Sequence, residues 1–498
     1  MKPLLSSNKI KVLLAIIAGS TLPLAFAPFA LFPLAIVSLI ILLRLWQQVS
    51  PASALSYGFF YGLGLFGVGI SWVSISFYQF GHMSLGAAGL LTLTFVAFMA
   101  LYPALLGGLL NRFFPQENAS KSLLIIPAAW STMEWLRGWL LTGFPWLAIG
   151  YSQIDSPLQG YAPILGVYGI SWLSVLTASG CLFAWQNRRY RKAVIALVIL
   201  IWAGGWFAHT RHWTQAVDKP LEVALIQGNI PQEFKWLSDY QWPSIQRYLT
   251  LSQQYRSADL IIWPETAIPL FYHQVPQLLE VLEQEQSTYD VDFLIGIPIT
   301  AADGRYFNAV MSLSNSSGFY AKRHLVPFGE YIPFQAFLGN LLRLLEVPLS
   351  EFSAGAWQQS YLHAAGQKIG ISICYEDSFS ALIRSSLPAA TVLVNVSNDA
   401  WFGNSIAPHQ HLEIARMRAL ESGRYLVRVT NTGISAVINP HGQIMMRTAQ
   451  FEIETLRAQV QPYQGLTPYM RWGNGLTITW LMVLIVIGIM LRFRQDNA

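Results

Sequence analysis

The chain has 498 residues, of which 53% are hydrophobic and 11% are charged, whereas a soluble domain carries about 25% charged residues. This composition excludes a soluble cytoplasmic protein, and it excludes disorder and a coiled coil as well. The two cysteines, Cys181 and Cys374, cannot form a disulfide framework, and neither has the neighbours of a zinc site. The formal charge of +5 would suit nucleic-acid binding only if the basic residues shared one surface.

Eight apolar runs are long enough, at about 20 residues each, to cross the hydrocarbon core of a membrane. Between the seventh and the eighth run lies a long stretch that alternates polar and apolar residues and holds most of the acidic ones. We therefore predict a seven-span membrane domain over residues 1–208, a soluble domain over residues 209–473, and an eighth span with a tail over residues 474–498. The runs start near Val12, Leu31, Leu55, Leu85, Leu123, Ile164, Val194 and Leu476.

Basic residues occupy alternate links between the predicted spans. Lys9 and Lys11 precede the first run and residues 188–192 link the sixth to the seventh, whereas links 78–84 and 142–162 contain no lysine or arginine. By the positive-inside rule both termini are cytoplasmic and the soluble domain faces the other side of the membrane. The same distribution accounts for the basic charge without a nucleic-acid partner.

Two features inside the spans invite a functional interpretation. Residues 62–67 match GxGxxG, but they lie inside an apolar run rather than between a strand and a helix, so close helix packing is preferred to nucleotide binding. Glu134 and Arg137 stand three residues apart and share a helix face, where they can neutralise each other. Support of a lipid-accessible site is the alternative for this pair.

The soluble stretch alternates short β-type runs with helix-period segments, which predicts an α/β core. The predicted strands cover residues 223–227, 260–263, 293–297, 310–313, 369–373, 392–396 and 426–429. The predicted helices cover residues 244–256, 275–285, 379–386 and 411–422.

Three reactive side chains follow predicted strands, where α/β folds collect their functional groups. Glu265 follows the second strand, Lys322 lies beyond the fourth, and Cys374 follows the fifth. Cys374 also precedes a predicted helix, whose dipole would favour the thiolate. Taken singly, a surface carboxylate, a solvated lysine and a buried small hydrophobe are the alternatives for these residues.

A metal site at His409 and His411 is not favoured. The two histidines are two positions apart, a spacing that points side chains away from each other on a helix. Helix capping or surface exposure is the preferred interpretation of both.

Glutamate, lysine and cysteine in this order resemble the catalytic residues of the carbon–nitrogen hydrolase (nitrilase) superfamily, whose fold is an α-β-β-α sandwich. Longer strings resemble the apolipoprotein N-acyltransferase family of bacterial inner membranes, which has eight spans with a nitrilase-like domain before the last. These strings are QGNI at 227–230, WPET at 263–266, HLVPFGEY at 324–331, CYE at 374–376 and NDAWFG at 398–403.

The resemblance implies a two-step acyl transfer without metal or cofactor. Cys374, deprotonated by Glu265, would attack the sn-1 ester of a phospholipid such as phosphatidylethanolamine, while Lys322 and the backbone N–H after the cysteine hold the oxyanion. The thioester would then pass its acyl chain to the α-amine of the diacylglyceryl-cysteine that begins an apolipoprotein.

The resemblance also implies supporting residues. Glu330 and Glu376 would support the site, Tyr375 neighbours the nucleophile, and Trp236 lies in a loop at the entrance, with loop packing as its alternative role. An aromatic series would form a lipid-facing arm or belong to the core: Phe328, Tyr331, Phe334 and Phe337.

Two other functions remain open at this point. A membrane-tethered amidase or hydrolase would use the same three residues and give the thioester to water. A transporter with an external domain is disfavoured because few ionisable residues lie in the spans. We expect a monomer.

Overall fold

The computed structural model describes residues 7–81, 83–331, 352–359 and 361–496. Two compact units are present. The first comprises Met1–Ser74, Ser84–Arg211 and Trp472–Ala498, and the second comprises Ile75–Met83 and His212–Arg471. Phe334 and Phe337 of the predicted aromatic series lie outside the described residues.

Each predicted apolar run corresponds to a helix. In the part of the chain that the structure describes, five helical stretches are long and apolar enough to cross a membrane, and the bent pair Pro51–Gly69 with Val73–Phe80 makes a sixth if it counts as one span. Pro33–Trp46 and Ile126–Arg137 are shorter, so the count of eight spans stays a prediction. The helices that correspond to the predicted runs are Asn8–Thr21, Pro33–Trp46, Pro51–Gly69, Leu85–Phe113, Ile126–Arg137, Ala162–Gln186, Arg191–His209 and Asn474–Asp496. Shorter turns are Leu22–Ala25, Val73–Ile75, Ser76–Phe80, Lys121–Ile125, Leu140–Thr142, Ile149–Gln153 and Pro157–Tyr161.

The glycines of the GxGxxG run serve helix packing. A Cβ atom on Gly62 would lie 2.6 Å from the Cα of Ala100, and one on Gly64 would lie 2.3 Å from the carbonyl oxygen of Ile16. Because only hydrogen fits in these gaps, two helices approach this one closely. The preference for packing over nucleotide binding is confirmed.

Glu134 and Arg137 both fix the backbone of the following link. Glu134 Oε1 accepts hydrogen bonds from Trp130 Nε1 (2.9 Å) and from the backbone N–H of Ile149 (3.0 Å). Arg137 donates to the carbonyl oxygen of Phe144 (3.0 Å). Both side chains are 2% exposed, so each has a structural role in holding the link against the helix.

The second unit is built on two six-stranded sheets. One has the order β12-β11-β10-β9-β8-β7 and the other the order β13-β2-β3-β4-β5-β6, and β1 pairs separately with β14. These labels stand for β1 Gln215–Ala216, β2 Leu221–Gln227, β3 Leu260–Ile262, β4 Asp292–Thr300, β5 Tyr306–Leu313, β6 Gly318–Ala321, β7 Leu362–Ala364, β8 Gln367–Ile373, β9 Val392–Ser397, β10 Leu426–Thr430, β11 Ala436–Ile438, β12 Ile444–Arg447, β13 Glu454–Val460 and β14 Tyr463–Gln464. All seven predicted strands are confirmed.

The two sheets pack face to face, and helices cover their outer faces. Leu225 and Ile262 of one sheet share a buried cluster with Ile373 and Val394 of the other. On the outer faces, Ser238–Ser252 and Pro276–Tyr289 cover one sheet, and Ala407–Ser422 covers the other. The predicted α-β-β-α sandwich is therefore confirmed. The helices and turns of this unit are Ser238–Ser252, Gln253–Tyr255, Tyr272–Gln274, Pro276–Tyr289, Cys374–Ser378, Ser380–Ser385, Asp399–Phe402, Ala407–Ser422 and Pro468–Trp472.

Candidate active site

The sandwich brings the three predicted reactive residues to one place. Glu265 follows β3 and Lys322 follows β6 in one sheet, whereas Cys374 follows β8 in the facing sheet. Lys322 Nζ lies 3.3 Å from Glu265 Oε1, and the charges of both groups act on the Cys374 thiol. All three side chains are buried, so their interactions are screened by little water.

Lys322 is bound by two carboxylates. Its Nζ lies 2.9 Å from Glu330 Oε1, in addition to the contact with Glu265. Burial lowers the pKa of Lys322, but the charges of Glu265 and Glu330 raise it by more, to well above its ordinary value. Lys322 is therefore a cation at neutral pH, and Glu330 is one of the two carboxylates that hold it.

Asn308 is a site residue that sequence reasoning missed. Its Nδ2 donates to Glu265 Oε1 (2.7 Å) and to Glu330 Oε1 (3.2 Å). The donor therefore orients both carboxylates towards the cation. A lone asparagine within a strand carries no motif, and only the register of β5 against β4 places it here.

The local structure at Cys374 corrects one expectation. The cysteine opens the single 3-10 turn Cys374–Ser378, and the helix that follows, Ser380–Ser385, has only six residues. A helix dipole therefore does not act directly on the sulfur. Burial, with a further contribution from the Glu265 charge, raises the pKa of the Cys374 thiol above its ordinary value. The resting group is a neutral thiol, so attack requires a base beside it.

Glu376 organises the main chain around the site. Its carboxylate accepts hydrogen bonds from the backbone N–H groups of Ile373 (2.8 Å), Arg323 (2.6 Å) and His324 (3.1 Å), and from the hydroxyl of Tyr320 (3.0 Å). One carboxylate thus joins the residue before the cysteine to the residues after Lys322. Glu376 has a positioning role, because it binds the backbone and not the reactive atoms.

Tyr375 packs its ring in an aromatic group next to the cysteine. The ring centroid lies 5.1 Å from that of Phe379 and 5.8 Å from that of His324. The side chain is 8% exposed, which places Tyr375 beside the nucleophile as an element of the wall.

The turn before Ser238–Ser252 carries Trp236 and a second missed residue, Lys235. Trp236 is 46% exposed, whereas Lys235 is 2% exposed and donates from Nζ to the carbonyl oxygen of Glu265 at 3.2 Å. Burial lowers the pKa of Lys235 to about 8. The turn therefore presents an exposed indole while an ammonium beneath it anchors the turn to Glu265.

His411 was also placed wrongly by sequence reasoning. It is 1% exposed and lies between the carboxylates of Asp377 and Asp399, so neither capping nor surface exposure describes it.

Among the described residues, no group of three or more histidine, cysteine, aspartate or glutamate side chains could hold a metal ion.

Covalent acyl transfer requires a nucleophile, a base and a group that stabilises an oxyanion. The thiol, the carboxylate and the ammonium that the two sheets bring together can take these roles. The thiol can form an acyl-enzyme, the carboxylate can move its proton, and the ammonium can stabilise an oxyanion. In an α-β-β-α sandwich, this set of groups defines an enzyme of the nitrilase superfamily.

Comparison with known proteins gives the family. Residues 18–180 match the family described as "Apolipoprotein N-acyltransferase N-terminal domain", and residues 222–469 match "Carbon-nitrogen hydrolase". The chain is 44% identical over 491 residues to the apolipoprotein N-acyltransferase of Methylococcus capsulatus, covering 98% of this chain and 97% of that protein. It is 42% identical over 492 residues to that of Vibrio cholerae, covering 97% of each. The chain belongs to the apolipoprotein N-acyltransferase family, a family of acyltransferases.

Among solved structures, the nitrilase-superfamily protein Nit3 of Saccharomyces cerevisiae is similar to part of the chain. The match has 18% sequence identity and a TM-score of 0.38, and it covers 50% of this chain and 93% of Nit3.

Proposed function

We propose that this protein transfers an acyl chain from a phospholipid to the α-amine of the N-terminal diacylglyceryl-cysteine of apolipoproteins. The observation that carries the proposal is the contact of Lys322 with Glu265 at 3.3 Å beside the buried Cys374 thiol, in a chain of this family. The donor is the sn-1 chain of a phospholipid, with phosphatidylethanolamine as the headgroup class to test first. No metal or cofactor takes part.

The first step forms a thioester. Glu265 takes the proton of Cys374 Sγ as the sulfur attacks the ester carbonyl carbon, because the raised pKa of the thiol keeps it protonated until then. The oxyanion is stabilised by Lys322 and by the backbone N–H of Tyr375, at the start of a 3-10 turn. The carbon–oxygen bond breaks, and Glu265 returns the proton to the departing lysophospholipid.

The second step uses the same groups in reverse. The α-amine attacks the thioester carbonyl, Glu265 takes a proton from the nitrogen, and the carbon–sulfur bond breaks. The released sulfur is reprotonated and the acceptor carries an amide. In this scheme Glu330 holds Lys322, Glu376 holds the turn of Cys374, Tyr375 lines the wall, and Trp236 contacts the incoming lipid.

We further propose the arrangement in the membrane. Residues 1–208 form a seven-span domain, residues 209–473 form a periplasmic catalytic domain, and residues 474–498 add the eighth span of a monomeric protein of the bacterial inner membrane. Both termini are cytoplasmic because lysine and arginine occupy alternate links. A reporter fused to Ala498 that is active only in the periplasm would contradict this orientation.

The experiment incubates the purified protein with phosphatidylethanolamine of defined sn-1 chain and a diacylated lipopeptide, and analyses the lipopeptide by mass spectrometry. The proposal predicts an amide-linked sn-1 chain on the lipopeptide, formed by the protein and by Cys181→Ala but not by Cys374→Ala. Cys181 is a matched control because it is the other cysteine and lies in helix Ala162–Gln186. Release of free fatty acid at the same rate with and without lipopeptide would instead identify a hydrolase.

A further inference from the structure

Four charged side chains are buried together behind the turn of Cys374. Burial of charged groups costs several kcal/mol for each ion unless partners compensate, so the cluster requires a reason. The side chains are each at most 1% exposed and come from the Cys374 turn, the turn after β9, helix Ala407–Ser422 and β10: Asp377, Asp399, His411 and Arg428.

His411 lies between the two carboxylates. Its Nε2 is 2.9 Å from Asp377 Oδ1 and its Nδ1 is 2.9 Å from Asp399 Oδ1. Arg428 contacts the other oxygens of the same carboxylates, at 3.3 Å for Asp377 and 2.9 Å for Asp399, and it also approaches His411 Nδ1 to 2.8 Å. The four charges sum to zero only when the imidazole carries both protons.

The surroundings favour that doubly protonated ring. Burial and Arg428 lower the pKa of His411, but the charges of Asp377 and Asp399 outweigh them and raise it to about 8. Burial raises the pKa of Asp399, but the charges of Arg428 and His411 lower it by more and hold it well below the usual range. The cluster is therefore neutral at pH 7 and gains a net negative charge above about pH 8.

The cluster contacts the backbone carbonyl of Cys374 directly and its thiol through Ser397. The carbonyl oxygen of Cys374 lies 3.3 Å from His411 Nε2 and 3.2 Å from Asn395 Nδ2. On the side-chain end, Ser397 hydrogen-bonds to the Cys374 thiol and donates to Asp399 Oδ1 at 3.0 Å. Cys374 has φ +52°, a strained conformation for a non-glycine residue, which its surroundings must enforce.

We propose that His411 is a positioning residue for the nucleophile: as a cation between Asp377 and Asp399, it fixes the backbone of Cys374 and balances the charge behind its sulfur. The inference rests on the nucleophilic role of Cys374 in the proposed function. Loss of the ring proton would leave a buried negative charge near the sulfur, which disfavours the thiolate character needed for attack.

The prediction for pH follows from these contacts. Among the described residues, the charged groups that act on His411 are Asp377 from the Cys374 turn, Asp399 from the next turn, and Arg428 from β10. Formation of the acyl-enzyme falls as pH rises through about 8, the pKa of His411. Lys235 titrates in the same range, so the profile is also recorded in a Lys235→Met background.

The experiment measures single-turnover acylation of Cys374 by phosphatidylethanolamine between pH 5.5 and 9.5, by intact mass of the full-length protein. His411→Gln should acylate about tenfold to a hundredfold more slowly at pH 7, and its rate should show no inflection near pH 8. His409→Gln is the matched control, two positions along the same helix and partly exposed, and it should behave as the unaltered protein does. Unaltered rate and inflection in a folded His411→Gln variant would overturn the inference.

A second variant decides the matter if His411→Gln does not fold. Asp377→Asn keeps the shape of the side chain but removes one of the two charges that raise the His411 pKa, so the inflection should move to lower pH. An inflection that does not move overturns the inference. If the unaltered protein forms no adduct on Cys374 at any pH, the proposed function itself fails, which is a different result.

Discussion

Replacement of Lys235 by methionine should stabilise the protein and slow its reaction. Burial lowers the Lys235 pKa from 10.5 to about 8, and each unit corresponds to about 1.4 kcal/mol. The buried ammonium therefore costs roughly 3 kcal/mol of folding free energy at pH 7. Methionine also removes the hydrogen bond to the carbonyl oxygen of Glu265, worth about 1 kcal/mol. The expected net gain is about 2 kcal/mol.

The lowered pKa of Lys235 makes the stability of the unaltered protein increase with pH over part of the range. Below pH 8 Lys235 is protonated in both the folded and the unfolded chain, and the full free-energy cost of burying its ammonium is present. Between about 8 and 10.5 the unfolded chain binds more protons, so the stability of the unaltered protein rises with pH. The advantage of Lys235→Met should therefore be largest at pH 7 and disappear near pH 10.5.

The assay is thermal unfolding of the full chain in detergent at one fixed heating rate, because membrane proteins of this size often unfold irreversibly. Lys235→Met should melt about 5 °C higher at pH 7, while Lys219→Met, an exposed lysine, should leave the melting temperature unchanged. Acylation should slow because the backbone of Glu265 loses the ammonium that holds its carbonyl oxygen. A variant that melts lower than the unaltered protein at pH 7 would refute the reasoning.

Three further substitutions test individual contacts of the site. Glu376→Gln replaces one carboxylate oxygen by an amide donor, so either the N–H of Ile373 or those of Arg323 and His324 lose their acceptor. The variant should lower the free energy of unfolding by about 2–3 kcal/mol and slow acylation, measured by denaturation and intact mass. Gly296→Ala would place a Cβ 2.8 Å from the Cα of Glu265, and the displaced base should reduce acylation about tenfold or more; a normal rate would show that Glu265 tolerates the shift. Trp236→Ala removes a side chain that is 46% exposed, and it should raise the KM for phospholipid with no change in melting temperature, whereas a loss of stability would favour the loop-packing role.

The strands of the sandwich interior were predictable from sequence because they are continuous apolar runs. β8 and β9 are buried along most of their lengths and read clearly as strands. β13 was missed because its residues are mostly exposed or half-buried and it pairs antiparallel with β2, more than two hundred residues earlier. Its pairing depends on a partner that local sequence does not indicate.

Some residues of the site were likewise predictable from the sequence and others were not. Glu265, Lys322 and Cys374 follow strands, and Glu265 and Cys374 also stand in recognisable strings, so the sequence predicted them to share one site. Asn308 and Lys235 have no such string, and the tertiary structure alone brings them to Glu265.

Two physical arguments from sequence were incomplete. The spacing of His409 and His411 gave no sign that His411 lies among charges from three other elements. Cys374 was expected to lie just before a helix whose dipole acts on the sulfur, whereas the 3-10 turn Cys374–Ser378 separates the sulfur from the short helix Ser380–Ser385. Burial and the Glu265 charge raise the pKa of the Cys374 thiol instead. The thiol therefore needs Glu265 as a base before it can attack.

The central claim is that Cys374 carries the acyl chain as a thioester. The most direct measurement is the intact mass of the purified protein after incubation with phosphatidylethanolamine of defined sn-1 chain, before and after hydroxylamine, which cleaves thioesters. The account predicts a mass increase of one sn-1 acyl group that hydroxylamine removes, that Cys374→Ala lacks and that Cys181→Ala retains. An adduct that persists in Cys374→Ala, or none under conditions in which the lipopeptide is acylated, would contradict it.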